Sequence, residues 1–274
     1  QDIGNWQINT GSAVQMNGMF YECTAFNQDI STKEVTVGSK TYIAWDTEKL
    51  AGTIGMFHRA DVFNQPIGSW NLSNVTDMSQ MFYQHQNFNQ EISASVQNIG
   101  GKTYNAWYTP NNRNYVSTFR QSIFNKDISN WNTSNVVSFS NMFLDSPDFN
   151  NGGQSLSTQS VSLNGVNYNS WNFTGSKANF NNQFQNSGFS GIGLDTWTPQ
   201  SASTFGFHWM SGTGLTQTTY DDILVSWAPK LNGVTLSNGI NFGTTTYSQS
   251  PSAAATAHAT ITGYGISLTD GGPN

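Results

Sequence analysis

The chain has 274 residues, enough for one large domain or two ordinary ones with a substantial core. Only 9% are charged and the net charge is −6, which excludes the basic face a nucleic-acid binder needs. Aromatic residues make up 14%, which argues against disorder; no apolar run is long enough to span a membrane.

The chain opens on QDIGNW, which reads as the middle of a repeat and leads us to expect a piece of a longer protein. The single cysteine, Cys23, has no partner for an intrachain disulfide and reads as a small buried hydrophobe. The repeat is anchored on Phe26, Phe63, Phe88, Phe124, Phe149 and Phe189, with Leu215 as a weaker last copy. The spacings are 37, 25, 36, 25, 40 and 26, so long and short units alternate. Trp70 and Trp131 follow their Phe by seven residues and Trp197 by eight, whereas Trp45, Trp107 and Trp171 follow by 19, 19 and 22. The long units therefore carry an insertion between Phe and Trp.

A short unit reads locally. FNQPIGSW, from Phe63, predicts an extended segment with a short strand. SNVTDMSQMF then sets Asn74 as a helix cap with Asp77 three residues on, and Met78, Met81 and Phe82 on one face of a short helix. The Asn that follows the anchoring Phe recurs at Asn27, Asn64, Asn89, Asn125 and Asn150, and Ser190 breaks the series. A stacked Asn that satisfies backbone groups explains that column. The insertions VTVGSKTYIAW, VQNIGGKTYNAW and VSLNGVNYNSW each place a Gly-containing turn between β-prone runs, a hairpin signature.

From about residue 215 the pattern changes. TTYDDILVSW puts Tyr220, Ile223, Leu224 and Trp227 on one helical face. VTLS and INFGTTTYS predict strands, SPSAAATAHATITGY a helix capped by Ser250 with Pro251 at its first position, and ISLTDGG a last strand. The expected fold is a repeat solenoid, mixed and β-rich. Its leucine-rich-repeat-like coils would each hold a short strand plus a short helix, with a β-hairpin in alternate coils and an α/β C-terminal cap. Residues 1–214 would form about seven coils and 215–274 the cap.

FNQDI at Phe26, FNKDISNW at Phe124, SNVTDMSQMF and the ending ISLTDGG resemble the BspA-like leucine-rich-repeat surface proteins of bacteria. The resemblance covers nearly the whole chain and is most specific in the short units at 63–87 and 124–148. It implies surface exposure and adhesion, and supplies no catalytic or binding residues.

Enzyme chemistry has little support. His58, His85, His208 and His258 are scattered in no metal-ligand spacing and read as surface or repeat-edge residues. Asp29, Glu91 and Asp127 share a repeat column, which suits stacking or a solvated edge better than a glycosidase pair. Asp270 in TDGG reads as a turn residue rather than a calcium ligand. No cofactor and no metal are expected. The repeat Trp residues occupy equivalent places with and without the insertion, as core residues do. Tyr42, Tyr104 and Tyr168 exist only where the hairpins exist; with Lys40 and Lys102 at the turns they form the candidate ligand-binding row. The functional expectation is an extracellular adhesin or recognition module at the C-terminal tip of a longer surface protein or fibre. Its partner would be a cell-surface glycan or protein of a host, prey or neighbouring cell, with no nucleic acid and no membrane span, and homo-oligomers are left open. The alternative is a structural spacer or self-assembly element with no separate ligand.

Overall fold

The computed structural model describes residues 1–8, 11–173, 178–201, 203–206 and 208–274. Strands are short: β1 (Val14–Gln15), β2 (Lys33–Val37), β3 (Lys40–Ala44), β4 (Leu50–Gly52), β5 (Ser95–Ile99), β6 (Lys102–Ala106), β7 (Gln159–Leu163), β8 (Val166–Ser170), β9 (Ile240–Asn241) and β10 (Leu268–Thr269). They pair only two at a time, in five separate sheets. Three are antiparallel hairpins, β2–β3, β5–β6 and β7–β8, and two are parallel pairs, β1–β4 and β9–β10. Among the described residues the α-helices are α1 (Gln217–Lys230) and α2 (Ala253–Gly263), both near the C-terminus.

The expected repeat solenoid of strand-plus-helix coils is therefore corrected. The protein is a mixed α/β molecule whose short strands lie in separate two-stranded sheets; past the β1–β4 pair, successive units are joined there only by single parallel bridges, Asp77–Asn114–Ser138–Asn179–Thr204, among the described residues. The predicted helix at 74–82 is a chain of turns, for a reason the local pattern hides. Met81 and Tyr83 donate within the unit, to the carbonyls of Met78 and Gln80. Met78, Gln80, Phe82 and Gln84 donate instead to the carbonyls of Asn114, Val116, Thr118 and Arg120 in the next unit. Every second N–H is thus spent between units, and no i→i−4 ladder forms. Gln80 and Gln84 take positive φ, at 59° and 54°, which a helix does not allow. Asp77 accepts from Ser79 N at 2.8 Å, and Asn74 donates to the Glu48 carbonyl at 2.7 Å instead of capping. The FNQPIGSW segment likewise forms no strand.

Side chains order these units in columns. Phe20, Phe57, Phe82, Phe119, Phe143 and Phe184 stack with centroids 5.4–5.8 Å apart. Seven indoles, of Trp45, Trp70, Trp107, Trp131, Trp171, Trp197 and Trp227, donate to the carbonyls of Ile3, Ile30, Ile67, Ile92, Ile128, Leu156 and Leu194 at 2.7–2.9 Å. Each of these Trp side chains is buried, so the bond satisfies a donor that burial would otherwise strand. The asparagines form a ladder: Oδ1 of Asn27, Asn64, Asn89 and Asn125 accepts the backbone N–H of Asn64, Asn89, Asn125 and Asn150 in turn, at 2.8–3.1 Å. Ser190 N–H makes the last bond, donating to Asn150 Oδ1 at 3.0 Å, and its side chain has no amide to continue the ladder. Asn89→Ala is expected to leave the Asn125 N–H without its acceptor and to cost about 1–2 kcal/mol, read as a lower urea midpoint at unchanged slope.

At the C-terminus, α1 buries Tyr220, Ile223, Leu224 and Trp227 and is capped by Thr216, which accepts from Thr219 N at 3.2 Å. The cap of α2 is Ser252, two residues beyond the predicted Ser250, and accepts from Ala255 N at 3.0 Å. VTLS forms no strand; INFGTTTYS contributes only β9. Cys23 is partly, not fully, buried.

Candidate functional site

The three hairpins hold the predicted row and show why it points elsewhere. All have two-residue turns that require positive φ: Gly38 in the first, Gly100 and Gly101 in the second, Asn164 and Gly165 in the third. These turns fix the register, and the register fixes which side chains share a face. Val35–Tyr42, Gln97–Tyr104 and Val161–Tyr168 are cross-strand pairs on the inner face. Tyr42 OH donates to the Asn5 carbonyl and Tyr168 OH to the Asn130 carbonyl, both at 2.7 Å. Burial pushes the Tyr168 phenol up to about 12, with Tyr108 adding to it. Tyr104 is buried, and its hydroxyl has no partner among the described residues. Burial, then the charge of Asp46, push that phenol up to about 12. These tyrosines face the body of the protein and do not line an outward row.

The lysines diverge. Lys40 is exposed at the first turn. Lys102 reaches back to Asp46 at 3.0 Å and Glu48 at 2.6 Å, with its ammonium 4.9 Å from the centre of the Tyr104 ring. Partial burial opposes its charge, but the two carboxylates outweigh burial and hold it above the ordinary lysine range. Lys102 is a tie between the second hairpin and the segment after the first.

The opposite face of each hairpin is the open one. It carries Glu34, Thr36 and Thr41, then Val96, Asn98 and Thr103, then Ser160, Ser162, Asn167 and Asn169, with Ile43 and Asn105 on the same side half-buried. One pair on each hairpin joins the strands across this face: Thr36 with Thr41 at 2.9 Å, Thr103 donating to Asn98 at 2.8 Å, Ser160 donating to Asn169 at 3.1 Å. On the second and third hairpins this face has no charged side chain. A concave patch on the third hairpin takes in residues of both faces: Ser160, Val161, Ser162, Asn167, Tyr168 and Asn169. Strand alternation is the signal that would have assigned the tyrosines inward and these residues outward.

A second surface feature follows the buried Phe column by one residue. Tyr21 and His58 meet edge to face at 4.8 Å, His58 and Tyr83 at 4.6 Å, and the Arg120 guanidinium lies 5.4 Å from the Tyr83 ring centre.

Several other titratable groups are engaged in structure. Asp29 pairs with Lys33 at 2.7 Å and Glu91 with Lys126 at 3.1 Å, while Asp127 accepts from Ser129 N at 2.8 Å. His85, expected at an edge, is fully buried, and its Nδ1 accepts the N–H of Phe88 at 3.1 Å. Burial lowers its pKa to about 4. His208 is exposed. Asp270 makes the expected turn, accepting from Gly272 N at 2.9 Å. Its other oxygen accepts the Tyr220 hydroxyl at 2.5 Å and lies 3.1 Å from His258 Nε2, tying the end of the chain to both helices. Among the described residues no group of three His, Cys, Asp or Glu is placed to hold a metal ion, and no helix is long and apolar enough to cross a membrane.

A family model described as Mycoplasma protein of unknown function, DUF285, matches twice in tandem, over residues 1–96 and 96–186. No curated protein and no solved structure matches the chain.

Proposed function

The chain belongs to the DUF285 family, and we propose that it is a recognition module of a cell surface, binding an uncharged glycan or protein surface through the outer faces of its three hairpins. The observation that carries this reading is the polar, mostly neutral character of those faces, with one cross-strand pair of hydroxyls or amides on each. Such groups offer donors and acceptors without the desolvation cost of charge, which suits ligands that are themselves neutral and rich in hydroxyls. The family is one found in BspA-like surface proteins, which supports an extracellular, adhesive role. Held rotamers also reduce the entropy lost on binding.

The test is a broad glycan array probed with the labelled protein and with a variant carrying Thr36→Lys, Asn98→Lys and Asn169→Lys. The expected result is binding to a related set of neutral glycans, lost in the variant while its thermal unfolding is unchanged. Binding that survives all three lysines would remove the hairpins from the site. No glycan binding by the native chain, together with concentration-dependent self-association, would favour a spacer or self-assembly element.

A further inference from the structure

We propose that the stripe Tyr21–His58–Tyr83–Arg120 is a separate binding line for an acidic oligosaccharide, one whose carboxylate is held by Arg120 and whose sugar ring packs on Tyr83. This goes beyond the hairpin reading and does not depend on it. The chain has three arginines, Arg59, Arg113 and Arg120. Two of them fall beside the aromatic stripe, in columns one and two residues after the buried phenylalanines.

The two columns behave differently. The second is closed on itself: Arg59 donates to Glu22 at 2.8 Å, Gln84 to Gln121 at 3.0 Å, and Asn186 to Asp145 at 2.8 Å. Its residues use their polar groups on one another, and Glu22 is neutralised there. The first column makes fewer such contacts, with His58 meeting Gln84 of the second. Tyr21 is 48% exposed, His58 and Tyr83 are partly exposed, and Arg120 ends the stack over the Tyr83 face. Unlike Arg59, Arg120 has no carboxylate partner among the described residues; its Nε is buried without a hydrogen-bond partner, which leaves the outer Nη end of the fork to meet a ligand.

A guanidinium stacked on an aromatic ring is oriented without being neutralised, so its planar fork stays ready for a carboxylate. Aromatic side chains beside it supply apolar area for a sugar ring. Sequence spacing hides this line because its members differ in type; alignment on the residue after Phe20, Phe57, Phe82 and Phe119 brings them together.

The experiment is calorimetric titration of the whole chain with sialyllactose and with lactose, at low and at physiological salt. Sialyllactose is expected to bind at least roughly tenfold more tightly than lactose, as a charge-assisted hydrogen-bond pair implies, and less tightly as salt rises. Arg120→Gln should remove the preference for the acidic sugar. Arg120→Lys, which keeps charge and loses the fork, should retain only part of it. Tyr83→Ala should weaken both sugars, and Arg113→Gln should change neither, with unfolding midpoints reported for every variant. Equal binding of the two sugars, no binding of either, or an acidic preference that survives Arg120→Gln in a folded protein would each overturn the proposal. The Thr36, Asn98 and Asn169 lysine variant is expected to bind sialyllactose as the native chain does, which separates this line from the hairpin faces.

Discussion

Trp131→Ala is expected to cost about 4 kcal/mol or more, a large share of the 5–15 kcal/mol that holds a typical domain together. Trp131 is fully buried between Trp107 at 5.7 Å and Tyr115 at 5.3 Å, and its indole donates to the Ile92 carbonyl at 2.9 Å. Truncation opens a ring-sized cavity in a continuous aromatic column and strands a buried carbonyl. Tyr115 is held on its far side by Phe139 at 5.7 Å and Trp107 by its indole bond to the Ile67 carbonyl at 2.8 Å, so collapse into the gap is limited. Trp131→Phe separates the two effects. It keeps most of the ring and loses the indole bond, for an expected cost of about 1–2 kcal/mol. Urea unfolding followed by far-UV circular dichroism checks both. A Trp131→Ala cost under about 1 kcal/mol would mean that the columns contribute little to stability.

Acid should weaken the fold through one histidine. His85 Nδ1 accepts a backbone N–H, so the ring is neutral when folded, and its pKa of about 4 lies well below the value near 6.5 of an unfolded histidine. Between those values the unfolded chain binds the extra proton and the folded chain does not. The stabilisation is therefore complete above about pH 6.5 and is lost progressively as pH falls toward 4, amounting to about 3 kcal/mol. Carboxylates begin to titrate near the lower limit, so the readout is a difference. His85→Gln should lower stability at pH 7.5 yet show a flatter dependence than the native chain from pH 6.5 to 4.5. Parallel slopes for the two proteins would remove His85 as the cause.

Much of this was legible in the residues, and what was not has a common origin. The Asn column and the buried Trp series could be read because each depends on one side-chain type recurring in one place. The hairpin turns could be read because Gly38, Gly100–Gly101 and Asn164–Gly165 supply the positive φ that two-residue turns need. The helix expected at Met78–Phe82 failed because i, i+3, i+4 spacing also describes successive turns stacked on a neighbour, and the neighbour's carbonyls are invisible locally. The same limit hides the partners of the hairpin residues. Tyr42 and Tyr168 look free in the sequence, yet their hydroxyls end on the carbonyls of Asn5 and Asn130, 37 and 38 residues away. Lys102 reads in the sequence as a residue of the turn and finds carboxylates 54 and 56 residues back. Long-range partners decided each of these cases.

The most direct test of the account is amide hydrogen exchange with and without the neutral glycan that binds best on the array. The hairpin reading predicts added protection in 33–44, 95–106 and 159–170, with α1 and α2 unchanged. Protection confined to the helices, or to units without a hairpin, would contradict it.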